Sequence, residues 1–198
     1  MKAHQSIRIF KSPVLEALTH VHPLIPLLIW GPVVFYQFYH SLAFNHLAGL
    51  PFAGLIASGL VFWTLTEYLM HRYVFHFNAT SQAGKYLVWL FHGVHHDDAV
   101  DPTRLVMPPV VSIILGAAFY YLFVALMGEV YARPFFAAFI SGYLAYDYIH
   151  YATHHFNPKT AWGRSIKENH MRHHYLKKGG KWGVSNSFWD HVFGTFEG

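Results

Sequence analysis

Eleven of the seventeen histidines in this chain fall into four short groups. They are His71 and His76; His92, His95 and His96; His150, His154 and His155; and His170, His173 and His174. On a helix, residues three or four apart project from one face. His92 with His95 or His96, His150 with His154, and His170 with His173 or His174 can each present two imidazoles to one metal ion. His71 and His76 are five apart, so they either reach different metals or straddle a helix end. Eleven imidazoles exceed what one ion holds. Two ions with four or five ligands each would use most of them.

Composition narrows the chemistry. The chain has no cysteine, which excludes disulfides, Cys-zinc modules, thiolate haem and cysteine-ligated iron–sulfur clusters. Imidazole suits zinc, copper, iron and nickel. Structural zinc takes four ligands in a closed tetrahedron, far fewer than the histidines provide. A nitrogen-rich pair of irons with open positions for O2 fits better, with zinc able to substitute in purified protein. The remaining histidines, His4, His20, His22, His40, His46 and His191, stand singly and read as interfacial.

The elements that position these groups are apolar. Hydrophobic residues make up 54% of the 198 and charged residues only 12%, about half the charge of a soluble surface. Four apolar stretches run from about 23–44, 50–69, 110–127 and 135–151, against the ~20 residues a helix needs to cross a bilayer. Short links at 45–49 and 128–134 join them into two helical hairpins. The polar middle segment 70–109 and the tail 152–198 carry the histidine groups. Thirteen of the fourteen Lys and Arg lie in the N-terminus, the middle segment and the tail, and only Arg133 lies in a hairpin turn. By the positive-inside rule both turns face away from the cytoplasm, and all four groups gather at its side. A membrane accounts for this distribution better than a nucleic acid does. The expected fold is an all-α integral membrane protein, a single domain over 1–198, with four transmembrane helices in two hairpins and a cytoplasmic His-rich dimetal cap. The N-terminal eighteen residues read as an amphipathic lead-in or a disordered tail, and KKGGK at 177–181 as a flexible, lipid-facing basic turn.

Several residues beside the groups are candidates for supporting roles. Asp147 precedes His150 by three and His154 by seven, on one helical face. It is a candidate to accept the free N–H of a ligand histidine, the alternative being an ion pair with Lys or Arg. Glu67, four before His71, invites the same reading. Arg104 is a candidate to hold an acyl carboxylate or anionic headgroup, the alternative being a salt bridge to Asp97, Asp98, Asp101 or Asp190. Trp189, Asp190 and Phe193 are expected to lock the cap. Asp147 and Arg104 are the two non-ligand residues assigned a direct part in the reaction.

The groups resemble the histidine boxes of the fatty acid hydroxylase superfamily of membrane diiron enzymes, from about Glu67 to the C-terminus. YDYIHYATHH at 146–155, KENHMRHH at 167–174 and GVSNSFWDHVFGTF at 183–196 follow its pattern. HHDDAVDPTRLVMPP at 95–109 is most similar to the fatty acid 2-hydroxylase branch, which shares its Arg-Leu-Val-x-Pro-Pro core. The resemblance implies two irons, O2 as co-substrate, and hydroxylation of a long acyl chain at C2, as a free acid or a sphingolipid N-acyl chain. The rivals are an acyl desaturase, a sterol or carotenoid hydroxylase and, outside enzymes, a membrane metal-binding or metal-transport protein. Many relatives in that branch carry a cytochrome b5 domain with a His-Pro-Gly-Gly motif. Here His22-Pro23 is followed by Leu24-Ile25. The expected electron donor is therefore a separate protein such as cytochrome b5 or a ferredoxin. The expected location is a bacterial inner membrane in preference to the endoplasmic reticulum, with the active site on the cytoplasmic face.

Overall fold

The computed structural model describes residues 5–175 and 179–197. His4 and the Lys177 and Lys178 of the basic turn lie outside them. All regular elements among the described residues are helical. A short helix, α1 (Pro13–Ala17), precedes α2 (Ile25–Ala43) and α3 (Gly49–Met70), and α3 runs on as a π-helical turn over His71–Phe75. Next come α4 (Gln82–Val88), a second π-helical turn (Trp89–Gly93), and α5 (Val94–Asp97). The chain then enters α6 (Pro109–His155), followed by α7 (Ala161–Tyr175) and α8 (Phe188–Val192).

α6 is two arms rather than one rod. Gly128 sits at φ 76°, ψ 156° inside it, a conformation open to a residue without Cβ. On either side of it, Phe123 meets Phe135 with ring centroids 4.9 Å apart, and Phe119 meets Phe139 at 4.8 Å. Both pairs are centred on residue 129, next to Gly128, so the arms 109–127 and 129–155 fold back on each other. The expected seven-residue link at 128–134 is therefore a correction. The reversal takes place at Gly128, and Pro134 is buried inside the second arm.

The core forms where α2 and α3 pack on this hairpin. Trp63 of α3 lies edge-on to Phe139 at 5.1 Å and Tyr143 at 5.5 Å. Gly59 permits that approach, since a Cβ there would stand 2.4 Å from the Phe135 carbonyl oxygen. Trp30 of α2 donates to Ser112 Oγ at 3.2 Å and meets Phe136 edge-on. Near the Gly128 turn, Arg133 donates to Gln37 of α2 at 2.7 Å and pairs with Glu129.

Two helical stretches, Gly49–Phe75 and Pro109–His155, are long and apolar enough to cross a membrane, and only 17% of each apolar window is buried. Phe35, Val61, Val110, Ile114, Tyr121 and Leu126 point outward. An apolar outer surface of this extent is what a bilayer solvates and water does not.

The N-terminal lead-in is docked, not loose. Glu16 of α1 accepts from the amides of Ile9 at 3.0 Å and Phe10 at 2.7 Å. Val21 N donates to the Thr103 carbonyl at 2.7 Å. Residues 7–21 are thereby fastened onto the segment that precedes α6.

Candidate metal centre and cavity

Ten of the eleven grouped histidines converge into two sets of five. His71, His76, His92, His96 and His173 form one, and His95, His150, His154, His170 and His174 the other. Within each set the ligand nitrogens all lie within 4.8 Å of one another, close to the span of donors about 2.0–2.2 Å from one ion. Neighbours in sequence divide between the sets, His95 from His96 and His173 from His174. The sets consequently lie side by side, with the His96 and His174 rings stacked at 4.1 Å.

Local helix geometry explains the partition. His92 with His96, His150 with His154, and His170 with His174 are each i,i+4 pairs within one set, so the four-residue spacing is used throughout. His71 and His76 join the same set because the chain between them is a π turn. The His76 amide donates to the His71 carbonyl at 3.2 Å, the i→i+5 bond of that geometry. A wider turn returns the fifth residue to the same face. Of the two sequence alternatives for this pair, straddling a helix end is the one realised. His155 falls outside both sets, its ring lying on Tyr151 at 4.5 Å.

The imidazoles are held in the form that can donate a lone pair. Burial, followed by repulsion from neighbouring rings, keeps His92, His95, His170 and His174 well below the ordinary histidine range. The same causes bring His76 to about 4 and His96 to about 3. Nitrogen-only sets of five fit ions that take imidazole and tolerate more than four ligands. They exceed the closed four-ligand shell of structural zinc.

A cavity of about 350 Å3 opens beside both sets, with His92 of the first and His95 and His150 of the second on its wall. Phe75, Leu90, Phe91, Leu105, Val106, Met107 and Val111 supply an apolar lining. The lead-in contributes Ile9, Phe10, Leu15, Leu18 and Thr19. Sequence reasoning did not assign these residues to the site, because the contact spans more than eighty residues of chain.

The supporting residues land differently from expectation. Arg104 lines the cavity, but its guanidinium is committed. It donates to Glu16 at 2.7 Å, Thr19 at 3.1 Å and the Ile7 carbonyl, contacts His20 Nε2 at 3.1 Å, and lies 3.9 Å from Asp101. Its main partner is thus a carboxylate in the lead-in, and His20 is part of that cluster. Asp147 is buried on the cavity wall beside Tyr143 and the Met107 amide, and no hydrogen bond to a grouped histidine is seen for it among the described residues. Glu67 does not reach a histidine either. It accepts from Val184 N and Ser185 N, both at 2.7 Å, and from Ser185 Oγ at 2.5 Å. Asp190 accepts from Trp182 N and Gly183 N at 2.8 Å, so it is a loop anchor and no partner of Arg104. Trp189 donates to Thr64 at 3.0 Å and Phe193 stacks on Tyr68 at 5.1 Å, which fastens α8 to α3. Lys181 of the basic turn is buried over Phe196 and does not face lipid.

The chain is similar to known proteins in sequence and in fold. Residues 56–195 match the family model described as fatty acid hydroxylase. A dihydroceramide fatty acyl 2-hydroxylase of Arabidopsis thaliana is 37% identical over 193 residues, 96% of this chain and 80% of that protein. A ceramide very long chain fatty acid hydroxylase of Saccharomyces cerevisiae is 37% identical over 187 residues, 93% of this chain and 48% of that one. The solved structure of full-length Scs7p, in which only the hydroxylase domain is visible, matches with a TM-score of 0.90 at 37% identity, covering 98% of this chain and 73% of that one.

Proposed function

Since the chain belongs to the fatty acid hydroxylase family, we propose that it hydroxylates a long fatty acyl chain at C2, as a free acid or as the N-acyl chain of a sphingolipid. The observation that carries the reading is the cavity. Its lining is mostly apolar, and both histidine sets reach its wall, through His92, His95 and His150. Two irons held by the two sets would supply the activation of O2. In the balanced reaction, C–H becomes C–OH and the second oxygen atom leaves as water; two electrons come one at a time from a separate donor such as cytochrome b5 or a ferredoxin, and two protons come from solvent.

The chain's own residues do the rest. The apolar wall binds the methylenes and keeps water from the reacting carbon. Hydroxylation at C2 requires the carbonyl end beside the histidines, with the tail running away from them. Asp147 lies on the wall near that end, where a carboxyl group can hold or pass a proton. Arg104 acts on the substrate indirectly, by holding Ile9, Phe10, Leu15 and Leu18 over the cavity.

α2, α3 and the two arms of α6 are proposed as four crossings. At 1.5 Å per residue the second arm of α6 rises about 40 Å, roughly 10 Å more than a bilayer's apolar core. That surplus carries His150 and His154 past the membrane, to a cap on the cytoplasmic side, in a bacterial inner membrane in preference to the endoplasmic reticulum. The chain has no cysteine, so single cysteines report without background. His46→Cys and Lys85→Cys should label from opposite sides of the membrane. Labelling from the same side refutes the topology.

The test of the reaction is to supply a long-chain ceramide or fatty acid with a reductase system and identify the product by mass spectrometry. A 2-hydroxyacyl product is expected. A double bond, a hydroxyl far from the carbonyl, or a hydroxylated ring substrate would assign the chain another reaction.

A further inference from the structure

The C-terminal loop 180–185 touches the histidines through its backbone. The Trp182 carbonyl faces His71 Nδ1 at 2.6 Å, and the Gly180 carbonyl faces His173 Nδ1 at 2.9 Å. Both histidines belong to the first set. A carbonyl there fixes Nδ1 as the protonated nitrogen, so that Nε2 keeps its lone pair for a metal. In the second set, Nδ1 of His95, His170 and His174 is buried without a hydrogen-bond partner among the described residues.

Two buried carboxylates hold the loop in place. Asp190 takes the amides of Trp182 and Gly183, one on each oxygen, and the Thr195 hydroxyl at 2.7 Å. Glu67 takes the amides of Val184 and Ser185 on one oxygen and the Ser185 hydroxyl on the other. Both carboxylates are almost completely buried, Glu67 at 3% and Asp190 at 1% exposed. Neither touches a grouped histidine by any hydrogen bond seen here. We infer that Asp190 and Glu67 are positioning residues for the first metal set alone, acting through the carbonyls of Trp182 and Gly180. This rests on the two-metal reading above.

The two carboxylates respond differently to amide replacement. Both oxygens of Asp190 face amide N–H groups, so Asp190→Asn must turn its NH2 against one of them. One oxygen of Glu67 faces only a hydroxyl, which can rotate and accept, so Glu67→Gln keeps every bond. The experiment is metal content per chain in purified protein loaded with ferrous iron, together with elution profile and helical content. Wild type and Glu67→Gln should hold two metals. Asp190→Asn should elute and fold as wild type and hold one. Adding His76→Ala to Asp190→Asn should remove no further metal, because both act on the same set, whereas adding His154→Ala should remove the remaining one. A purely structural role would not separate the sets in this way.

Two metals retained in Asp190→Asn, or both lost in it, would overturn the inference while leaving the two-metal reading standing. Wild type with fewer than two would sink that reading and the inference with it. Should Asp190→Asn not fold, Thr195→Val removes the hydroxyl donor to Asp190, together with its 3.0 Å contact with the Tyr68 hydroxyl, and leaves both amide bonds. One of its two metals should then pass to a chelator faster than in wild type, and equal rates would overturn the inference.

Discussion

Arg104 and Glu16 lie 88 positions apart in sequence and 2.7 Å apart in space, with the arginine side chain only 4% exposed. The pair fastens the N-terminal lead-in over the cavity that meets both histidine sets. A residue chosen from the sequence for substrate contact lines that cavity and is at the same time tied to the lead-in.

Arg104→Ala should loosen residues 7–20, since removing one partner of a buried pair costs about 3 kcal/mol. Hydrogen exchange of that segment should rise sharply, and the KM for the acyl substrate should increase several-fold. Metal content should stay at the wild-type value, because Arg104 touches neither set. A parallel loss of metal would mean that the arginine supports the histidines directly.

The same latch should respond to acid. Burial raises the Glu16 carboxyl, but the Phe10 and Ile9 amides and the Arg104 charge outweigh it and hold the group below its ordinary 4.5. A depressed folded value contributes stability that is complete above the unfolded value and is lost as pH falls through the folded one. Protection of residues 7–20 from exchange should thus be flat above about pH 5 and decline below the ordinary carboxylate range. Glu16→Gln should lower the plateau and abolish the Glu16-dependent part of the decline. An unchanged pH profile in that variant would count against the latch.

His154 and His155 are adjacent in sequence, but only His154 belongs to a set. His154→Ala should lower metal content towards one per chain and remove turnover. His155→Ala should keep both metals and most of the activity, as it gives up a ring contact with Tyr151. Equal losses in the two variants would contradict the partition.

Gly59→Ala tests the helix packing beneath the site. Its Cβ would stand 2.4 Å from the Phe135 carbonyl oxygen and 2.9 Å from the Ala138 Cβ, and backbone cannot step aside as a flexible side chain can. Overpacking of this kind costs typically 1–3 kcal/mol. A clear drop in the thermal midpoint is expected, with no change in the spectrum of bound metal at low temperature.

Much of the site was legible in the sequence because its chemistry is local. Histidines four apart on a helix must share a face, and that rule alone pairs His150 with His154; between His95 and His96, and between His173 and His174, spacing does not choose. The apolar stretches are legible as well, and two of the helical stretches they form are long and apolar enough to cross a membrane. The absence of cysteine removes the thiolate alternatives outright. The tertiary structure decided what depends on distant chain segments or on rare backbone geometry. Spacing could not assign His71 and His76 to one set, since a π turn leaves no periodic signature. It could not exclude His155, whose position is set by where the second arm of α6 ends. Nor could it give Glu67, Asp190 and Arg104 their partners. A buried carboxylate or guanidinium takes whichever donors or acceptors folding brings to it, here from more than eighty residues away for Glu67 and Arg104, and such pairings are properties of the packed chain.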